Sequence, residues 1–194
     1  MNLDVRPVSL ESRHGSQSQT RLLRHMAAIG LGAAIVALSA QVVVPVPFSP
    51  VPMTLQPLAV LVVGGLLGPA RGAGALALYL ALGIVGLPVF AGGGAGALRL
   101  IGPTGGYLLA FPVAAAATGG LLGHRKSVLQ VLLACLVGML IIHLGGAAWL
   151  AILGQDAAMA IRIGVLPFLA GDLLKIGLAA AVILTVGPRL RQLL

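Results

Sequence analysis

Charged residues are scarce in this sequence. Lys, Arg, Asp and Glu together make up 8% of its 194 residues, whereas 59% of the residues are hydrophobic. Soluble domains carry about 25% charged residues, so this chain cannot cover a water-exposed surface with polar groups. The scarcity excludes a soluble globule, a disordered chain and a nucleic-acid-binding domain. Together with a mean hydropathy of +1.08, it predicts an integral membrane protein.

Cysteine and nucleotide-binding motifs are also missing. The single cysteine, Cys135, lies in an apolar run, which excludes a disulfide framework and a cysteine-based zinc site. The glycine-rich run 72–77 follows no predicted strand, and the segment 123–127 lacks the glycine that precedes lysine in a phosphate-binding loop. We therefore expect no metal, no cofactor, no ATP site and no enzymatic activity in this chain.

The apolar part of the chain is long enough for about six membrane spans, because one span takes about 20 residues. Segments rich in proline and glycine separate six predicted helices, at about 26–44, 54–67, 73–85, 107–122, 128–153 and 166–186. The predicted fold class is all-α, with residues 26–194 as the membrane domain and residues 1–25 as a flexible tail. A signal peptide is the alternative interpretation of the first helix.

Basic residues are distributed unevenly between the two predicted sides of the membrane. Nine lie on the side of the chain termini and only two on the other side, which places both termini in the cytoplasm. The net charge of +8 thus reflects topology in the cell (inner) membrane, not binding to nucleic acid. The nine are Arg6, Arg13, Arg21, Arg24, Arg71, Arg125, Lys126, Arg189 and Arg191, and the two are Arg99 and Arg162.

Three charged residues lie where charge is costly. Arg99 follows the glycine-rich run 92–96 in an outward-facing loop, and Asp172 and Lys175 lie within the last helix. A charge inside a span usually faces a cavity and marks a function, and the spacing of three residues puts Asp172 and Lys175 on one helix face. The three predict a half-buried pocket of net charge +1, open to the outside and suited to a small monoanion.

Simpler interpretations of these residues exist. Asp172 and Lys175 could only neutralise each other, and Arg99 could reach lipid headgroups. His143 is expected to form a hydrogen bond between helices. Trp149 is either an interfacial residue or part of the pocket wall. The role of Tyr79 is undecided in the same way.

The first helix carries small residues at four-residue spacing, Gly30 with Ala34 and Ala33 with Ala37. Such faces allow close approach of another helix. Spacing alone does not distinguish packing within the bundle from docking of another subunit.

Four motifs resemble those of the BioY family, the biotin-specific substrate-binding subunits of energy-coupling-factor (ECF) transporters. They are Pro-Val-Pro-Met-Thr-Leu-Gln at 50–56, Gly-Leu-Pro-Val-Phe-Ala-Gly at 86–92, Gly-Pro-Thr-Gly-Gly-Tyr-Leu at 102–108 and Gly-Asp-Leu-Leu-Lys at 171–175. The resemblance implies a six-helix membrane protein that captures biotin from outside. It implies ligand contacts for Arg99, Asp172 and Lys175. Gln56, Phe90, Tyr79, Tyr107 and Trp149 are further candidates for the site.

The resemblance also implies partners. Family members dock onto a transmembrane coupling subunit with two ABC ATPase subunits through an Ala-x-x-x-Ala motif, which Ala33 and Ala37 match. Some members carry an asparagine before the arginine, but residues 91–97 are only Gly and Ala here, so another group must hold the ureido ring.

Three rival functions remain. The first is an S component for another small anionic vitamin, and the second is a scaffold subunit without a ligand. The third is an intramembrane hydrolase using Ser39 and His143, although no Gly-x-Ser-x-Gly motif is present.

Overall fold

The structure, a computed structural model, describes residues 9–122 and 127–190. The elements follow the chain as helices with one short strand pair. They are α1 (Ser9–Ser39), β1 (Val43–Val44), β2 (Met53–Thr54), α2 (Gln56–Leu67), α3 (Pro69–Ile84), α4 (Leu98–Ile101), α5 (Gly105–Gly120), α6 (Val128–Ile152), α7 (Ala157–Gly164) and α8 (Leu169–Leu190). Single 3-10 turns lie at Ala91–Gly93 and Leu166–Phe168.

Three helical segments are long and apolar enough to cross a bilayer: Arg21–Ser39, Val128–Ile152 and Ala157–Leu190. Shorter apolar helices lie between them, at Gln56–Leu67 and Pro69–Ile84. Twelve residues of α2 reach only about 18 Å at 1.5 Å per residue, less than the roughly 30 Å of a hydrocarbon core. The predicted helical membrane fold is confirmed, while the count of six spans and the side of the termini stay predictions.

Helix boundaries differ from those expected at several places, and α4 lies in a segment expected to be a loop. α1 begins at Ser9 and runs through residue 25, because extending an existing helix avoids the unfavourable nucleation step; residues 1–8 lie outside the described part. α3 begins at Pro69, since Gly68 with φ +81° ends α2 and proline suits the first helical position. The helix α7 was not predicted, although Asp156 caps it by accepting a hydrogen bond from the Met159 N–H.

The short helix α2 lies at the centre of the bundle and packs against α1, α3, α5, α6 and α8. Two adjacent glycines make this possible. A Cβ on Gly64 would lie 2.4 Å from the Ala115 carbonyl oxygen of α5, and a Cβ on Gly65 would lie 2.4 Å from Ile183 of α8. Small residues thus let the helix backbones approach closely, as in other membrane bundles.

The face of α1 that carries Ala33 and Ala37 points into the bundle. Ala33 is 2% exposed in the hydrophobic core, and Ala37 packs against the same core. Ala33 is therefore not free to contact another subunit, whereas Ala37 is half-buried, and docking through this motif stays a prediction. Gly30 and Ala34 lie on the outer face instead: Ala34 is exposed, and nothing lies within 4 Å of a Cβ placed on Gly30.

Two linkers cover one end of the bundle. The segment between α1 and α2 forms a small hairpin in which Val43 pairs with Thr54 and Val44 pairs with Met53. The segment between α3 and α5 contains α4, and its Gly92 N–H donates to the Ala40 carbonyl at the end of α1. The starts of α2, α5 and α8 lie at this end, together with the ends of α1, α3 and α6.

Replacing Gly64 with valine should destabilise the bundle. The side chain would overlap the Ala115 backbone, and overpacking of this kind typically costs about 1–3 kcal/mol. We expect a lower melting temperature of the purified protein in detergent. Gly30→Ala is the matched control, because its methyl group meets open space; equal melting temperatures for the two variants would contradict the central packing of α2.

Candidate functional site

A cavity of about 210 Å³ lies under the two linkers at this end of the bundle. Its walls come from the hairpin between α1 and α2, the segment between α3 and α5, and the helices α5, α6 and α8. Six residues expected at the site from the sequence line it together: Gln56, Phe90, Arg99, Tyr107, Asp172 and Lys175. Residues from five separate parts of the chain thus meet in one hollow.

The Asp172 carboxylate is the centre of a buried polar cluster. Lys175 Nζ donates a hydrogen bond of 2.9 Å to Oδ1, and His143 Nε2 lies 2.7 Å from Oδ2. Asp172 is 3% exposed, Lys175 6% and His143 8%. The ion pair anticipated within the last helix exists, and it faces the cavity.

Arg99 supplies a second cation, at the mouth of the cavity. It is exposed, and its guanidinium lies against Gly94, where a Cβ would come within 2.7 Å of Nε. In the part of the chain that the structure describes, the Arg99 guanidinium has no hydrogen-bond or ion-pair partner. With Asp172 and Lys175 neutralising each other, the cavity carries a net charge of about +1 when His143 is neutral.

Tyr79 and Trp149 do not line the cavity, so neither forms its wall. The Tyr79 hydroxyl lies 2.6 Å from Gln56 Nε2, which donates to it, while Gln56 Oε1 accepts a 3.1 Å hydrogen bond from Thr54. Trp149 Nε1 donates to the Gly102 carbonyl at 3.0 Å. Both aromatic residues therefore hold segments next to the cavity in place through hydrogen bonds, without lining the cavity themselves.

Aromatic side chains form much of the apolar wall. Phe90 is 2% exposed and packs edge-on against Tyr79, with ring centroids 5.5 Å apart. Its ring occupies the space that a Cβ on Gly83 would need. Tyr107 lines the cavity and donates its hydroxyl to the Gly164 carbonyl at 2.6 Å, which ties α5 to α7.

His143 and Phe168 are site residues that the sequence did not place in the cavity. The sequence correctly favoured a helix–helix hydrogen bond for His143, since its partner Asp172 lies on α8. Its contact with the cavity could not be inferred, because α6 is apolar on all sides and its pattern does not show which face turns inward. Phe168 follows Pro167 in a turn whose shape the sequence does not specify.

The glycine-rich segment offers few free backbone donors. The N–H groups of Gly92, Gly93, Gly94 and Gly96 donate to carbonyl groups within the protein. A ligand amide or urea group would therefore need other partners. The described residues contain no group of three or more His, Cys, Asp or Glu side chains placed to hold a metal ion.

Apolar spanning helices and a charged cavity at one end of the bundle define a multi-pass membrane protein with a site for a small solute. A model of the BioY family matches residues 11–192. Curated relatives match over most of their length at 30% identity or more. The chain belongs to the BioY family.

Relatives come from archaea and bacteria. The probable biotin transporter BioY of Pyrococcus horikoshii is 40% identical over 160 residues, which cover 82% of this chain and 93% of that protein. The biotin transporter BioY of Thermotoga maritima is 36% identical, covering 84% and 95%. A crystal structure of the S-component for biotin from an ECF-type ABC transporter superposes with a TM-score of 0.80 at 28% identity, covering 89% of this chain and 93% of that chain.

Removing one member of the buried pair should cost more stability than removing both. Asp172→Leu leaves the Lys175 ammonium buried without its carboxylate, a change that typically costs about 3–5 kcal/mol. The double variant Asp172→Leu/Lys175→Met removes both charges. We expect the wild type and the double variant both to melt above the single variant in detergent; a single variant as stable as the double would contradict a charged pair.

Proposed function

We propose that this protein captures biotin from outside the cell and carries it across the membrane as the S component of an ECF-type transporter. One observation supports this most directly: Arg99, Asp172 and Lys175 meet in a single cavity in a chain whose relatives are biotin transporters. The cavity lies at the bundle end opposite Arg21, Arg24, Arg71 and Arg189. Because basic residues are concentrated at the end of the bundle with these arginines, that end is assigned to the cytoplasm. The cavity, at the other end, then opens to the outside. Arg6, Arg125, Lys126 and Arg191, counted in the same prediction, lie outside the described residues.

The charge of the cavity matches biotin. Biotin is an elongated monoanion at neutral pH, with a carboxylate on a flexible tail and a ring that carries two N–H groups. We assign the carboxylate to Arg99, because Lys175 is engaged with Asp172, whereas Arg99 is exposed and unpaired among the described residues. Arginine is well suited to the carboxylate, since its planar fork can bind it through two hydrogen bonds.

The ring is assigned to the buried cluster. Each Asp172 oxygen already accepts one hydrogen bond from the protein and keeps a further acceptor position for a ring N–H. The glycine N–H groups of the segment before Arg99 are donors, so they could bind only the ring carbonyl, and they already donate within the protein. Phe90, Tyr107 and Phe168 give the apolar surface for the rest of the ring system.

The rival hydrolase is not supported by the positions of its two candidate residues. The Ser39 hydroxyl donates to the Val36 carbonyl of its own helix at 2.7 Å, and Ser39 does not line the cavity. His143 is hydrogen-bonded to Asp172, and no serine of the described residues lines the cavity with it. The serine–histidine pair that this hydrolase would use is therefore not formed.

Transport needs an energy source outside this chain, and the proposed source is a transmembrane coupling subunit carrying two ABC ATPase subunits. Docking through Ala33 is not compatible with its burial. We assign docking to the neighbouring exposed side of α1, where Ala34 is exposed beside Gly30. Exposed small residues in a lipid-facing helix let a second helix approach closely.

Neutralising Arg99 should weaken biotin binding selectively through its carboxylate. For Arg99→Gln we expect a loss of about tenfold in affinity, the effect of one hydrogen bond to a charged group. The neutral biotin amide should bind wild type and variant equally. Calorimetric titration of the purified chain in detergent measures both.

The matched control is Arg162→Gln, an exposed cation on α7 that does not line the cavity. It should bind biotin like wild type. Selective loss in Lys175→Gln instead of Arg99→Gln would reassign the carboxylate to Lys175. No binding of biotin to wild type, with tight binding of another small anion, would favour the other-vitamin alternative.

Enlarging Ala34 should separate binding from transport. Ala34→Leu places a bulky side chain on the proposed docking face, so we expect biotin uptake and co-purification of the coupling subunit to fall at least fivefold. Biotin affinity of the isolated chain should not change. Ala148→Leu is the control, since Ala148 is exposed on α6, which does not pack against α1. Normal uptake in Ala34→Leu would refute this docking face.

A further inference from the structure

His143 is the one member of the buried polar cluster to which the proposed function gives no task. It lies on α6, whereas Asp172 and Lys175 lie on α8, so its hydrogen bond joins two helices at the floor of the cavity. At 8% exposure it has little contact with solvent. Burying a polar side chain to this degree in an otherwise apolar helix is costly unless it is hydrogen-bonded, and such residues usually mark a function.

The hydrogen-bond pattern fixes the tautomer of His143. Asp172 pairs with the Lys175 ammonium as a carboxylate, which can only accept, so His143 Nε2 carries the proton of the 2.7 Å contact. Nδ1 is buried and has no hydrogen-bond partner among the described residues. A proton on Nδ1 would leave a charged donor without an acceptor, whereas a bare Nδ1 costs less. The neutral Nε2–H form fits this environment.

The His143 ring is itself held in place. Phe168 stacks on it with a centroid distance of 6.4 Å and an interplanar angle of 26°, and Tyr107 meets it edge-on at 6.5 Å. Because Nδ1 is buried, the ring does not offer that atom to a ligand in the cavity. His143 therefore acts on the site through Asp172.

Lys175 alone would leave the carboxylate poorly oriented. Both residues sit on α8, three positions apart, and the terminal torsion of an aspartate is broad. A second hydrogen bond, from a different helix and to the other oxygen, fixes the plane of the carboxylate. It thereby fixes the directions of the acceptor positions that remain.

We propose that neutral His143 is a positioning residue that orients the Asp172 carboxylate toward the ligand's N–H groups. This rests on the proposed function, since it assumes that the ligand presents N–H donors to Asp172. It extends that function by assigning part of the ring specificity to a residue on α6 that does not itself touch the ligand through Nδ1.

Three substitutions separate the N–H donor from the aromatic ring. His143→Gln keeps a donor of similar reach and loses the ring. His143→Phe keeps a ring for Phe168 and Tyr107 and loses the donor, and His143→Met loses both. If orientation of Asp172 is the role, Gln should stay within about threefold of wild-type biotin affinity, while Phe and Met should lose about tenfold or more.

The opposite order, with Phe close to wild type and Gln as weak as Met, would show that the ring acts only in packing and would overturn the proposal. Wild-type affinity in all three would overturn it as well. If the Phe variant does not yield folded protein, the comparison of Gln with Met decides.

Met139→Ala is the control for general loosening of α6, because Met139 is 3% exposed one turn from His143 and does not line the cavity. It should lower the melting temperature and leave biotin affinity unchanged. The measurement is calorimetric titration of the full chain in detergent. Failure of wild type to bind biotin would count against the proposed function, whereas wild-type binding that is insensitive to the donor at 143 would count against this inference alone.

Discussion

The need to pair a buried carboxylate governs the arrangement of this protein. Asp172 is almost fully buried, and an isolated charge in such surroundings is too costly to persist. Lys175 on the same helix and His143 on another supply its two hydrogen bonds. Satisfying Asp172 therefore joins α6 to α8 at the point where the cavity forms. The same pairing leaves the Arg99 guanidinium as the cavity cation without a partner among the described residues.

Close approach of helix backbones makes the cavity possible. α2 is too short to span a bilayer alone, and it is surrounded by five other helices because Gly64 and Gly65 leave room for its neighbours. Its start then lies within the bundle, below the hairpin, with Gln56 buried against Tyr79. Irregular backbone at membrane depth is tolerated where protein or a cavity surrounds it. The two linkers are irregular in this way, and they border the cavity that they cover.

Much of the site was predictable because charge is rare in a membrane sequence. Arg99, Asp172 and Lys175 stood out since each would be costly at its position without a function, and the structure brings them to one cavity. Tyr79 and Trp149 were predicted as candidate site residues. They lie next to residues of the site but do not line the cavity. The helix that contains His143 is apolar on all sides, so the sequence does not show which of its faces turns toward the cavity. The sequence therefore predicted a hydrogen bond for His143 but not its position in the site.

Local composition and spacing are enough to predict the class of the protein, the approximate helices and the residues whose burial demands a partner. Which helix faces meet depends on long-range packing, which is visible only in the fold. On α1, Gly30 with Ala34 and Ala33 with Ala37 have the same spacing, yet the second pair packs inward and the first faces outward. Spacing defines the faces of a helix, whereas the neighbours of each face depend on how all the helices pack together.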